Sequence, residues 1–256
     1  MNFDNRIKEH LASYKVNTLN IAENGTWWKN DKQYQHILPK SKYVKNVIDK
    51  GFQKELLSLI SAKDLHLGFH HLNSSQALAL NLFGPLIFTN NLSLIGNILK
   101  IDISDNDKSK FEFIENLNEN TNFDYFIKGK SINIYFEVKY TENNFGNAKD
   151  DNEHQEKYFR LYKDRLAKIT NITRKQFLNN YQLWRNILYS ENGYIVFVLP
   201  EFRKDLIDIV DSTKKSLINK EYIKILKIED IISKCKQIDL LKNHYIEFEN
   251  KYLKFV

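Results

Sequence analysis

NFDYFIKGKSINIYFEVK, residues 122–139, decides how this chain is read. It has the form of two strands joined by a tight Gly129-Lys130 turn. Strand side chains alternate between faces. On the second strand Ile132, Ile134, Phe136 and Val138 therefore point one way, and Tyr135, Glu137 and Lys139 the other. On the first, Phe123, Tyr125 and Ile127 share a face, with Asp124 opposite. If Gly129-Lys130 is the loop, Lys128 pairs with Ser131 and Asp124 with Tyr135. Glu137 is then the diagonal neighbour of Asp124 on the same face. A four-residue loop is expected to give the same register, whereas a three-residue loop turns Asp124 into the core. An even loop thus gathers two carboxylates and an ammonium on one sheet face. Two hard oxygen ligands with room for water and a phosphate suit Mg²⁺.

Outward from the hairpin, Phe111 to Glu115 predicts a strand leading in. Helices are expected over His154–Ile169 and Arg174–Tyr189. The apolar run Tyr194–Leu199, closed by Pro200, predicts a strand buried on both faces. A strand pair, then helices, then a buried strand implies a crossover onto a mixed sheet. The fold class expected is α/β, a mixed central β-sheet flanked by helices, with helical N- and C-terminal additions.

Upstream, the spacing of Val44, Val47, Ile48, Leu56 and Ile60 predicts an amphipathic helix over 42–62. Asn73-Ser74-Ser75-Gln76 reads as a helix start, with Asn73 as cap and Gln76 completing a capping box. The apolar run Ala77–Phe83 predicts a buried helix ending near Gly84-Pro85, and a further helix follows over Asn91–Lys100. Downstream come a short strand near Tyr222–Leu226 and helix from Ile228, with Leu240, Leu241, Tyr245 and Phe248 on its packing face. Residues 1–62 are expected as a mostly helical extension packed on the core. Residues 63–256 form the α/β domain with its C-terminal helices, the two making one compact unit.

With 256 residues, 42% of them hydrophobic and 13% aromatic, the chain has ample material for a buried core. The formal charge of +6 is compatible with a nucleic-acid partner, and equally with a solvated lysine-rich surface. A single cysteine, Cys235, precludes an internal disulfide and suits a reducing cytoplasm, the expected location. Met1 to His10 is polar and charged, unlike a signal peptide, and no apolar run is long enough to span a bilayer. No membrane partner is expected. No G-x-x-x-x-G-K-[ST] motif is present, so the chain lacks that phosphate-binding loop.

The spacing Asp124-x12-Glu137-x-Lys139, with the last two inside an apolar strand, resembles the PD-(D/E)xK nuclease superfamily. Asn122-Phe123-Asp124 stands where that motif has a Pro-Asp pair. More narrowly, His71–Leu78, Glu137–Glu142 and Tyr181–Asn186 look like segments of a bacterial family of restriction endonucleases within it. The resemblance spans roughly residues 20–200. It implies a restriction-endonuclease-like α/β/α core and a Mg²⁺-dependent endodeoxyribonuclease of restriction or defence type, with Mn²⁺ able to substitute. Asp124 and Glu137 would hold the metal, the Val138 carbonyl completing the set. Lys139 would orient the attacking water or stabilise charge on the phosphate. Two nearby carboxylates push its pKa upward, which favours an electrostatic role over a general-base one. Gln76 falls where the superfamily often has a supporting acid on the first core helix, and a purely structural capping role stays open beside that one. DNA is the expected substrate, RNA is left open, and cutting both strands would suit a homodimer. The alternative is a non-catalytic, repair or RNA-processing nucleic-acid-binding protein on the same fold.

Gln182, Arg185 and Asn186 fall at i, i+3 and i+4 and so share a helix face. Arg185 can fork onto a phosphate, which makes the trio candidate nucleic-acid contacts, or a solvated helix surface. Glu142 is a weaker candidate for a second metal or a substrate loop, and Glu115 weaker again. His66, His70 and His71 show no H-E-x-x-H pattern and read as structural or surface histidines. Trp27 and Trp28 read either as core packing or as base-stacking surfaces.

Overall fold

The computed structural model describes residues 3–255. In chain order its helices are α1 (Phe3–Asn17), α2 (Gln53–Ser58), α3 (Ser75–Phe88), α4 (Ser93–Leu99), α5 (Asn152–Lys157), α6 (Lys163–Ile169), α7 (Arg174–Asn179), α8 (Tyr181–Leu188), α9 (Lys204–Lys214), α10 (Ile228–Cys235) and α11 (Asp239–Tyr252). The strands are β1 (Gly25–Trp27), β2 (Lys32–Tyr34), β3 (Lys108–Ile114), β4 (Asn122–Lys128), β5 (Asn133–Val138), β6 (Gly193–Leu199) and β7 (Ile223–Lys227). They group into two compact units, residues 107–227 and residues 1–106 with 228–256. The division expected after residue 62 falls inside the second of these groups.

Residues 107–227 carry a five-stranded mixed sheet in the order β3-β4-β5-β6-β7. The first three strands are antiparallel and β5, β6 and β7 run parallel. Each parallel step needs a long connection, and helices supply both: α5 to α8 between β5 and β6, and α9 between β6 and β7. Tyr135, Ile195, Phe197 and Leu199 on one sheet face join Tyr162, Phe177, Leu183, Trp184, Leu206 and Val210 of those helices in a single apolar core. This is the expected α/β class with a mixed sheet flanked by helices. Helix α9 carries no counterpart among the sequence expectations. The two helices expected over 154–189 are each interrupted, by a π turn at Tyr158–Tyr162 and by a break at Asn180.

The hairpin turns through four residues, 129–132, with Lys128 opposite Asn133 and Tyr125 opposite Phe136. Parity is even, as required, but the register is two residues longer than a Gly129-Lys130 loop gives. A four-residue loop therefore shifts the register by two, and the regular pairing ends at Tyr125 and Phe136, one residue short of Asp124 and Glu137.

Strict alternation fails at one point. Tyr125 packs on Phe111 and Phe136 with centroids 4.8 and 5.4 Å apart, yet Phe123 lies against Tyr135 and Tyr189 on the other face at 4.9 and 5.2 Å. The cause sits beside Asp124. Glu112 on β3 has φ +51°, and the pairing of β3 with β4 skips Glu112 and Asp124 while joining Phe111 to Tyr125 and Phe113 to Phe123. One left-handed residue re-aims the strands there.

In the other unit, the stretch expected as one helix over 42–62 is a 3₁₀ segment at Lys40–Asn46 followed by α2, with Gly51 at φ +98° between them. Helix α3 starts one residue later than expected: Ser74 is the cap and accepts from the Ala77 N–H. It also runs through Pro85 to Phe88. Proline removes the bond to the carbonyl four residues back, here that of Asn81. His244 Nε2 donates to that carbonyl at 2.8 Å, and Tyr245 Oη donates to the next, Leu82, at 2.6 Å. Helix α11 thus supplies what the proline removed. Among the described residues no single helix is long and apolar enough to cross a membrane.

His244 is fully buried, and its Nδ1 has no hydrogen-bond partner. Burial accordingly pushes its pKa down from 6.5 to about 4. Between those values the unfolded chain binds more protons, so stability rises with pH. The His244 contribution to stability should fall by about 3 kcal/mol as pH drops from 6.5 towards 4. His36 and His71, also lowered to about 4 by burial, add to the slope. Urea denaturation across that range measures it. His244→Gln, which keeps an N–H for Asn81, is expected to flatten the slope, and an unaltered slope would contradict this account.

Candidate active site

The site grows from the end of β5. Val138 N–H donates to Asp124 Oδ2 at 2.7 Å, so a side chain stands where the strand ladder would place a carbonyl. The Val138 carbonyl lies on the same strand edge as its N–H, because both groups of one residue face the same neighbour. Asp124 Oδ1 receives no hydrogen bond from the described residues. Burial, then the negative charges of Glu137 and Glu112, raise the Asp124 pKa well above the usual carboxylate range, against the pull of Lys139 and the Val138 N–H.

Glu137 is buried and closely held. Lys139 Nζ forms an ion pair with its Oε1 at 2.9 Å. Gln182 Nε2 donates to the same oxygen at 2.6 Å, and Asn186 Nδ2 donates to Oε2 at 2.9 Å. Gln182 Oε1 in turn accepts from Lys139 Nζ at 2.7 Å, closing a ring of three side chains. Burial pulls the Lys139 pKa down, but Glu137, Glu142 and Asp124 together outweigh it and hold the ammonium above the ordinary lysine value. A lysine held this way favours its charged form.

Helix α8 is positioned to deliver these amides. Its first N–H groups have no partner within the helix. Tyr181 N–H donates to Gly146 O at 2.8 Å and Gln182 N–H to Phe145 O at 3.0 Å. Gly146 takes φ +68°, and a Cβ there would lie 3.6 Å from Gln182 Cβ. Arg203, itself buried, donates to the carbonyls of Tyr140 at 2.8 Å and Glu142 at 2.7 Å, which fixes the segment leaving β5.

Asp124, Glu137, Lys139 and Val138 are therefore brought together. Of the trio read as nucleic-acid contacts or a solvated helix surface, Gln182 binds Glu137 and Lys139 and Asn186 binds Glu137. Asn186 is buried, whereas Gln182 and Arg185 are half-buried. Arg185 donates to Thr121 Oγ1 at 2.8 Å and to Glu119 O at 3.0 Å, so it ties α8 to the turn before β4. Gln76 uses both amide ends on backbone, accepting from His66 N–H and donating to Asp64 O, each at 2.9 Å. Its observed partners are structural. Glu142 accepts from Tyr140 N–H at 2.8 Å, and Glu115 accepts from Tyr135 Oη. His70 Nε2 bonds Thr26 O at 3.2 Å. Among the described residues no three His, Cys, Asp or Glu side chains group as a ready metal cage.

A divalent cation nevertheless fits the donor set. Asp124 and Glu137 lie close enough to repel, Asp124 Oδ1 is unclaimed by protein donors, and the Glu137 oxygens carry the donors of Lys139, Gln182 and Asn186 with lone pairs to spare. Hard oxygen ligands with open positions are what Mg²⁺ takes.

A family model described as Restriction Endonuclease associating with ARP matches residues 8–253, almost the whole chain. No curated protein and no solved structure matches the chain.

Asn186→Ala should leave Glu137 Oε2 buried without a donor, at a cost of about 1–3 kcal/mol. Urea denaturation checks this, and the penalty should shrink in a Glu137→Gln background, where no charge needs the bond.

Proposed function

The chain belongs to the REase-ARP family of restriction endonucleases, and we propose that it is a divalent-metal-dependent endonuclease hydrolysing phosphodiester bonds in DNA. The observation that carries this reading is the grouping of Asp124 with Glu137, close enough for the charge of one to act on the other, and the Lys139 ammonium 2.9 Å from Glu137. The substrate class follows the family's description as restriction endonucleases.

Asp124 and Glu137, with the Val138 carbonyl on the same edge, would hold Mg²⁺ or Mn²⁺. When bound, such an ion supplies Lewis-acid polarisation of a phosphate and a more acidic water. The protein's own groups do the rest. Lys139 carries a fixed positive charge towards the phosphate oxygens, where negative charge grows as water adds and a P–O bond breaks. Gln182 holds Lys139 and Glu137 in one geometry, so the charge needs no rearrangement as the reaction proceeds. Asn186 fixes the orientation of the Glu137 carboxyl by donating to its second oxygen. Gln182 and Asn186 are positioning residues in this scheme.

A panel of duplex DNA, single-stranded DNA and RNA, incubated with and without Mg²⁺, tests the proposal. Wild type is expected to cut DNA only with the metal. Asp124→Ala and Lys139→Ala, shown folded by circular dichroism, should lose about 10²-fold or more of the rate. Calorimetric titration with Mn²⁺ should show binding that Glu137→Gln removes. Cleavage by both alanine variants at the wild-type rate would refute the assignment.

A further inference from the structure

The β1–β2 hairpin places a tryptophan where a core residue would be wasted. Trp28 stands at the first position of a four-residue turn and is 52% exposed. The turn around it is tightly built. Asn30 and Asp31 N–H groups donate to Trp27 O at 3.2 and 2.9 Å, and Asp31 takes φ +54°. Asn30 accepts from Lys32 N–H at 3.1 Å and donates to Tyr34 Oη at 2.8 Å. At the base of the hairpin, Gly25 lies so close to Leu38 that a Cβ would sit 2.0 Å from the Leu38 carbonyl oxygen. His70 Nε2 to Thr26 O and Leu38 N–H to His70 O, at 3.2 and 3.0 Å, lock the hairpin to the 66–71 turn. Trp27 is used for packing, edge-on to Tyr34 and His71. Trp28 is free to meet something else.

Trp28 lines an open cleft of about 400 Å³ together with Thr26, Pro39, Lys40, Leu67 and His70. Leu67, 61% exposed, adds apolar surface to its wall. That volume is at the small end of ligand sites, enough for one planar ring system and not for a length of polypeptide. The surroundings are cationic. Lys29 Nζ lies 5.5 Å from the Trp28 ring centroid, Lys40 lines the cleft and Lys32 closes the turn, against Asp31 alone in residues 24–40. A rigid exposed indole with flanking ammonium groups has the chemistry of a base-stacking platform with phosphate contacts beside it.

We propose that Trp28 and this cleft receive an unstacked nucleobase, from single-stranded or locally opened DNA, with Lys29 and Lys40 on the adjoining phosphates. The inference rests on the nuclease reading for its substrate class, but its surface lies in a different unit from Asp124 and Glu137. Base stacking is indifferent to sequence because every base offers a π face. The platform therefore contributes affinity for open strands and not sequence readout.

Fluorescence anisotropy with labelled oligonucleotides in EDTA, where no cutting occurs, tests it. Trp28→Ala is expected to weaken single-stranded DNA binding about tenfold, within the range for losing one stacked base, while Trp28→Phe stays close to wild type. On an abasic strand of equal length the Trp28→Ala effect should vanish. Lys29→Glu should weaken both strands alike. Unchanged binding by Trp28→Ala, or an equal loss on abasic strands, overturns the proposal; the first outcome also fits a protein partner at this cleft. Mg²⁺-dependent cleavage by wild type is scored separately. Cutting with a silent Trp28→Ala variant defeats the platform alone, and Trp28-dependent binding without cutting defeats the nuclease reading alone.

Discussion

The hydrogen bond from Val138 N–H to Asp124 Oδ2 governs the candidate site. An inner-strand N–H has to be paired. Continuing the β4–β5 register would put the Phe123 carbonyl opposite Val138, but the turn at Glu112 and Asp124 swings β4 away at that point. The carboxylate of Asp124 takes over as acceptor. Its position is thereby fixed by backbone requirement and not by rotamer preference, and Glu137 across the strand gap becomes its neighbour. Burial first, and then the repulsion of Glu137, raises Asp124, and the charge of Lys139 offsets part of that. The strand irregularity and the charge cluster are one feature seen from two sides.

Glu137 shows how the helical layer serves the sheet. A buried carboxylate is costly unless each oxygen is hydrogen-bonded, and here Lys139, Gln182 and Asn186 do so. The amides come from α8, whose N-terminus is tied to Phe145 and Gly146 just beyond β5. The break at Asn180 makes sense on these terms. An unbroken helix over 174–189 would keep its N–H groups for itself, and Tyr181 and Gln182 could not use theirs to anchor on that loop. Deeper, Arg185 and Arg165 reach Glu119 and Thr121 at the turn before β4, so the strand bearing Asp124 and the helix bearing Gln182 share a second tie.

Much of this was legible in the sequence for a physical reason: period-two alternation and turn parity are local. The Asp124, Glu137 and Lys139 face followed from them, as did the buried strand β6. What was not legible depended on partners far along the chain. Pro85 predicts a helix end unless another group serves Asn81 O, and that group is His244, 163 residues away. The two-residue register shift reflects a loop that extends past Gly129-Lys130 to residue 132, which turn propensity alone does not reveal. Phe123 changed faces where the β3–β4 pairing skips Glu112 and Asp124, an irregularity no local pattern announces. Gln182 and Asn186 were found by helical spacing, but spacing gives a shared face and not which way it looks.

One device recurs through both units: a side chain replaces a backbone partner that irregular geometry has removed. Asp124 does so for Val138, His244 for Asn81, and Gln76 for the Asp64–His66 turn. Arg203 does it for Tyr140 and Glu142, and Lys251 for the Asn46 carbonyl. Residue type therefore separates structural from functional polar groups poorly, since buried lysine, arginine, histidine and glutamine all serve here as scaffolding. Spare capacity separates them better. Gln76 uses both ends of its amide on backbone, and Arg203 spreads its donors over two carbonyls and Asp205. Asp124 gives one oxygen to the strand and keeps the other unclaimed, with like charges around it that only a cation would relieve. What sets that oxygen apart is the company it keeps: it shares its surroundings with the charges of Glu137, Glu112 and Lys139.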